Sequence, residues 1–279
     1  MLDRPLQQIP LVFLDFETTG LHPHRGDRVC EVALQRVVGD TVELSFATLV
    51  DPERPLSAQS FSVNGIGAAE LAGAPKFAEI AGQLSAALAG AVIVAHNAPF
   101  DLEFLQAELA LAGHPQLLIP TIDTLTIARR LLPKRSSHSL GALALALGAQ
   151  PPSHRAMDDV LALRAVFADL TAQLAEQGVT TLGDLLRYAR GFNPGDPEPL
   201  PPPAIADALR DGQLLRVVYR SRTLPEPTAR LIRPIEIVKQ REALFLRAYC
   251  YLRQDLRVFL IDKLIEIELA AEQPQRLVS

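Results

Sequence analysis

The chain has no tryptophan, and aromatic residues make up only 5% of its 279 positions. Any stacking surface for a base must therefore be built from Phe, Tyr or the flat guanidinium of Arg. Two cysteines, Cys30 and Cys250, are too few for a disulfide framework and read as reduced core thiols, which sets the expectation of a cytoplasmic protein. No apolar run approaches the ~18 residues that a membrane span needs. The opening segment MLDRPLQQIP lacks a basic stretch followed by an apolar one, so no secretory leader is expected. An excess of positive charge is also missing, since 27 Lys and Arg face 32 Asp and Glu for a net charge of −5. Phosphate-binding proteins are usually basic, so any such contact here needs cations or a local basic patch.

The rest of the composition is that of a globular protein, with 48% hydrophobic and 21% charged residues. The length suggests two domains of roughly 150 residues. Charge divides unevenly: residues 1–200 hold 14 Lys and Arg against 22 Asp and Glu, and residues 201–279 hold 13 against 10. The segment FNPGDPEPLPPP, residues 192–203, contains six prolines. Proline lacks the N–H that helices and sheets require, which predicts a semi-rigid linker between domains spanning 1–191 and 204–279.

Before that segment, strands and helices alternate. Strands are expected at 11–16, 29–38 and 42–50, the last two around a Gly39-Asp40 turn, and at the apolar run AVIVA, residues 91–95. Helical periodicity covers 76–88, 101–112, 139–147 and 157–177, each ending at or near a glycine. The order predicts an α/β domain with a mixed sheet. After the segment come a short helix at 205–210 and strands at 214–220, 229–238, 243–251 and 256–261, a small sheet or barrel.

Three blocks carry candidate chemistry. In FLDFETTG, Asp15 and Glu17 share one strand face while Leu14 and Phe16 share the other. Adjacent carboxylates repel unless a cation joins them, and oxygen ligands suit Mg²⁺ or Mn²⁺. In HNAPFDLEFL, Asp101 opens a helix, where it would also complement the helix dipole. In SHRAMDDVLAL, His154 precedes a helix that carries Asp158 and Asp159. Taken singly, each block suits a surface carboxylate or a loop histidine as well as a catalytic site.

Together, in this order, the blocks resemble the DEDDh 3′–5′ exonucleases, the superfamily of the proofreading subunit of bacterial DNA polymerase III, over residues 9–175. The resemblance implies a ribonuclease H-like mixed sheet flanked by helices. It also implies two Mg²⁺ or Mn²⁺ ions on Asp15, Glu17, Asp101 and Asp159, with His154 as general base. Asp159 rather than Asp158 has the matching spacing. The implied substrate contacts are the backbone of Thr18 and Thr19, with Leu21, Asn64, Asn97 and Phe100. Asn64 and Gly67 stand where the family often has histidine and threonine, while Phe61, Ile66 and Phe104 read as core residues. The implied partner is a single-stranded or frayed 3′ end, with DNA favoured, RNA an alternative, and a catalytically idle sensor a third reading. No membrane contact is expected, and polymerase association is possible but has no supporting peptide in the sequence.

The tail resembles a WYL domain, a small β-rich Sm-like module, over residues 204–270, although Leu244-Phe245-Leu246 replaces the name-giving tripeptide. The pattern rests on Tyr219, Arg233-Pro234, the AYCYLR run and Arg257-Val258-Phe259. Arg247, Tyr249, Tyr251 and Arg253 are expected to share one strand face, and with Tyr219, Arg233 and Arg257 they form a candidate nucleic-acid or ligand surface.

Overall fold

Strand β1 (Leu11–Thr18) is apolar on both faces, because it lies in the middle of a sheet covered on both sides. The computed structural model describes residues 1–221 and 226–270, in two compact units, Met1–Ala189 and Arg190–Ser279. In the first unit β2 (Val29–Val38) and β3 (Thr41–Leu49) extend the sheet antiparallel to β1. On the other side β4 (Val92–Ala95) and β5 (Thr121–Asp123) run parallel, giving the order β3-β2-β1-β4-β5. This is the expected mixed sheet.

Even-numbered residues of β1, Val12, Leu14 and Phe16, pack against α3 (Phe77–Leu88) and α4 (Ala98–Leu111). Odd-numbered residues Leu11 and Phe13 pack against α5 (Thr124–Leu131), α6 (Leu140–Ala146), α7 (Ala156–Ala175) and α8 (Leu182–Ala189). Asp15 and Glu17 continue the odd series at the strand's C-terminal end. The periodicity of the sequence misses the short elements β5, α5 and α8, and two small helices, α1 (Ala58–Asn64) and α2 (Ala68–Leu71). Phe61, expected in the core, lies on α1 and is 54% exposed, whereas Ile66 and Phe104 are fully buried. Helix α1 is only seven residues long and buries Ser60 and Asn64, so its buried stripe does not include Phe61.

Helix α4 starts three residues before its expected bound, since Pro99 is tolerated in a first turn. Its buried side carries two acids, Asp101 and Glu108, seven residues apart and so on one stripe. Glu108 accepts from Nε and an Nη of Arg28 at 2.8 and 2.9 Å, and from the Val29 N–H at 2.9 Å. That fork joins α4 to the start of β2.

In the second unit α9 (Pro203–Asp211) packs on an antiparallel sheet ordered β10-β6-β7-β8-β9. Its strands are β6 (Leu215–Tyr219), β7 (Thr228–Gln240), β8 (Ala243–Cys250), β9 (Asp255–Leu260) and β10 (Leu264–Leu269). Strand β8 ends at Cys250, so Arg247 and Tyr249 alternate on it while Tyr251 and Arg253 lie in the following turn. The expected four-residue strand face is thereby cut to two. The Pro-rich segment also differs from a free linker at its start. Phe192 is buried in the core of the second unit beside Ile205 and Leu215. Gly191, at φ +101°, lies so close to the Lys239 carbonyl that any Cβ would stand 1.9 Å from that oxygen.

Phe192→Ala is expected to cost the second unit roughly 3–5 kcal/mol, the usual range for a buried Phe. Differential scanning calorimetry should show one transition moving down and the other unmoved. A spacer residue would leave both in place.

Candidate active site

The acids converge because three elements end at one place. Strand β1 delivers Asp15 and Glu17, and the ladder sets Glu17 directly opposite Glu31 of β2. Helix α4 delivers Asp101, whose carboxylate accepts from the Phe16 N–H at 3.3 Å. Helix α7 delivers Asp159 in its first turn, where Oδ1 accepts from the Ser153 N–H at 3.1 Å. The neighbouring Asp158 turns instead to the Ser153 hydroxyl at 2.6 Å. Glu17, Asp159 and the exposed His154 each offer a ligand atom within 4.8 Å of the other two.

Burial and mutual repulsion raise the affinity of this cluster for protons. Asp15 is held well above the ordinary carboxylate range, first by desolvation and then by Asp101, Asp159, Glu17 and Glu31 together. It is the acid that all four others act upon. Glu17 is pushed up to about 8 by burial and by Asp159, partly offset by a hydrogen bond from Asn64. Asp101 is pushed up to about 8 by burial, against the opposing Phe16 N–H. Asp159 rises to about 6 through burial, with His154 acting in the opposite direction. Such a set of hard oxygen donors with unbalanced negative charge fits divalent cations.

The N-terminus of α4 is held by a residue absent from the sequence-derived site. Asp123, the last residue of β5, accepts from the Asn97 and Ala98 N–H groups at 2.9 and 3.3 Å, and from Leu125 N–H at 3.1 Å. It thereby caps two helices and fixes Asn97 in a left-handed turn at φ 68°. Behind this turn the half-buried His96 faces Thr124 Oγ1 and the His138 carbonyl, each at 2.9 Å.

The expected substrate residues fall into two groups. Leu21 and Asn97 are exposed, and Phe100 is half-buried with its ring against Phe104. Thr18 and Thr19 are buried, and the Thr19 N–H already donates to the Arg28 carbonyl at 2.9 Å. Gly20 beside them leaves room for the Asp27 carboxylate, which a Cβ would meet at 2.4 Å. Asn64 is buried, with its Nδ2 near Cys30 Sγ at 3.8 Å and a side-chain hydrogen bond to Glu17. It touches a carboxylate of the cluster instead of an open surface.

In the second unit a cavity of about 570 Å³ is lined by Tyr219, Arg253 and Arg257, and by Arg230 and Lys263, which the sequence pattern passed over. The buried Arg230 guanidinium meets Thr228 Oγ1 and Cys250 Sγ, with the Phe259 ring 6.0 Å away. Arg247 is paired with Glu236 at 2.8 Å and Arg257 with Asp255 at 3.0 Å. Tyr249 and Tyr251 meet edge to face, 5.2 Å apart. Arg233, Arg247, Tyr249 and Tyr251 do not line the cavity.

Comparison with known proteins bears on both units. The family profile described as Exonuclease matches residues 12–167, and the WYL domain profile matches residues 203–269. A DNA polymerase III subunit epsilon-like protein of Rhodobacter capsulatus is 38% identical over 195 residues, 68% of this chain and 28% of that protein. The PolC-type DNA polymerase III of Thermotoga maritima is 34% identical over 175 residues, 62% of this chain and 13% of its own length. The chain thus spans less than a third of these relatives. The DNA polymerase III subunit epsilon of Treponema pallidum is 33% identical over 174 residues, which cover 61% of this chain and 80% of that one. Exonuclease X, solved with a 5′ overhanging duplex DNA, superposes with TM-score 0.50 at 25% identity, covering 63% of this chain and 97% of its own. With its β1 acids, the α4 aspartate and the His154–Asp159 turn assembled at one sheet end, the chain belongs to the exonuclease family and carries a WYL domain after it.

Proposed function

We propose that the chain is a 3′–5′ exonuclease that hydrolyses single-stranded or frayed 3′ ends of DNA to nucleoside 5′-monophosphates. The observation that carries this reading is the convergence of four carboxylates and one exposed histidine at the end of β1. Asp15, Glu17, Asp101 and Asp159 would hold two Mg²⁺ or Mn²⁺ ions, the charge that this mutually repelling set of carboxylates calls for. Such a pair supplies charge stabilisation to the attacking and leaving oxygens of a phosphodiester. His154 accepts the proton of the attacking water, work to which an imidazole is suited at neutral pH. Its exposure lets it reach water at the mouth of the site. Leu21 and Phe61, both large, apolar and exposed, offer contacts for the terminal nucleotide, with Asn97 and Phe100 beside Asp101.

The WYL unit supplies the cationic surface that the acidic first unit lacks. Tyr219, Arg230, Arg253, Arg257 and Lys263 around one cavity suit a phosphate-bearing ligand or strand. Domain limits of 1–189 and 190–279 accord with the burial of Phe192. Among the described residues no helix is long and apolar enough to cross a membrane. The two cysteines are free and buried, at home in the cytoplasm, where we place the protein.

An oligonucleotide labelled at its 5′ end, carrying a 3′-hydroxyl or a 3′-phosphate and made as DNA or RNA, tests the reading. Shortening from the 3′-hydroxyl end of DNA is expected, with the 3′-phosphate blocking it. Asp15→Ala and Asp159→Ala should abolish it, and His154→Ala should slow it by roughly 10²–10⁴-fold, the range for a general base. Preferred shortening of RNA would move the substrate class, and unchanged turnover by either aspartate variant would remove the site.

The raised acids also set a pH dependence. Without metal, the folded chain keeps protons on Glu17 and Asp101 up to about 8, while an unfolded chain loses them near its ordinary pKa of ~4. The folded state then binds more protons, so its stability falls as pH rises from that lower value through the upper one. Divalent cations replace those protons. Saturating Mn²⁺ should therefore raise the melting temperature more at about pH 8.5 than at about pH 5.5. Equal gains at both pH values would contradict the assignment.

A further inference from the structure

We propose that Arg155 is a positioning residue for His154, acting through a charged bridge between Glu31 of β2 and Glu70 of α2. The inference rests on the exonuclease reading above and names a part of that site beyond its four acids and its base.

His154 has φ +59°, in the left-handed region that a residue with a Cβ rarely enters. Such a conformation persists only where the neighbours on both sides fix it. On the N-terminal side Ser153 is held twice, its N–H by Asp159 and its hydroxyl by Asp158. On the C-terminal side one buried carboxylate does the same work. Glu31 accepts from Arg155 Nε at 3.2 Å, from an Arg155 Nη at 3.1 Å and from the Ala156 N–H at 3.0 Å. The two residues that follow His154 are therefore tied to β2.

The place of Glu31 in the ladder gives this tie its meaning. Glu31 stands directly across from Glu17, so the strand pair that sets the metal-facing acid also sets the turn that carries the base. The second arm of Arg155 reaches Glu70 at 3.6 Å, on the helix that begins where the Gly67 N–H donates to that same carboxylate at 3.0 Å. Asn64, which meets Glu17, lies just upstream on the same stretch. Arg155 thus connects the base, the β2 wall and the segment beside the acids. The planar fork of a guanidinium can serve both carboxylates at once, and a lysine ammonium cannot reproduce that geometry.

The guanidinium is engaged by Glu31 and Glu70, neither of them a proposed metal ligand, so its effect is expected to pass through His154. A double-mutant cycle on the full chain isolates this. Arg155→Lys, which keeps the charge, and Glu31→Gln, which keeps an acceptor for Ala156, are each made in the parent and in the His154→Ala chain. Turnover of a 3′-hydroxyl oligonucleotide, its KM and Mn²⁺ affinity are measured for all. In the parent, kcat should fall roughly tenfold or more with KM held within about threefold, and Arg155→Lys, which leaves every acid of the cluster charged, should hold Mn²⁺ affinity within about threefold as well. In the His154→Ala chain the same changes should alter kcat by less than about twofold. Equal losses in both backgrounds, loss of Mn²⁺ affinity in Arg155→Lys, or unchanged kcat in an active parent would each overturn the positioning role alone. An inactive parent chain would overturn the exonuclease reading and this inference with it.

Discussion

Mutual repulsion among carboxylates at the end of β1 is the constraint around which the first unit is organised. Asp15, half-buried at the sheet end, feels Asp101, Asp159, Glu17 and Glu31 at once. No packing advantage accounts for collecting these charges, and in isolation they hold protons or destabilise the fold. The surrounding structure keeps them in place with backbone donors. The N–H groups of Phe16, Ser153 and Ala156 are aimed at Asp101, Asp159 and Glu31. Each is a neutral donor that orients a carboxylate without cancelling its charge; Glu31 is also paired with Arg155, so the demand for cations rests with Asp15, Glu17, Asp101 and Asp159.

The helices that bring these acids together are anchored by other acids. Glu108 fastens α4 to β2 through Arg28, and Asp123 fastens the start of α4 to β5. Glu31 fastens the start of α7 through Arg155 and Ala156. Breaking a buried charged fork such as Arg28–Glu108 by removing one partner typically costs about 3–5 kcal/mol, so these ties hold position firmly. Much of the net charge of the first unit thus belongs to its construction as well as to its site.

Much of this was legible in the sequence. Asp15, Glu17, Asp101, His154 and Asp159 stand in short local patterns at a strand end, a helix start and a turn; spacing reports the shared face of Asp15 and Glu17, and the family resemblance joins the three blocks into one site. The strands from β1 to β4 follow from apolar runs. What was not legible depends on contacts between distant residues. Glu31 reads as one more position of a strand, and only its register opposite Glu17 and its reach to Arg155 give it a role. Asn64 looked like a surface contact and is instead buried on Glu17, because α1 turns it inward. Phe61 had the look of a core residue, yet α1 is too short to bury it. In the tail, a strand ending one residue early moved Tyr251 and Arg253 into a turn, while Arg230 and Lys263 joined the cavity from β7 and from the turn before β10.

The central claim is that the acid cluster exists to hold a pair of divalent cations. Anomalous diffraction from crystals grown with Mn²⁺ tests it directly. Two peaks about 3.5–4 Å apart, flanking Asp15 and in reach of Glu17, Asp101 and Asp159, are the predicted result. Crystals saturated with Mn²⁺ that show no peak among these carboxylates would contradict it.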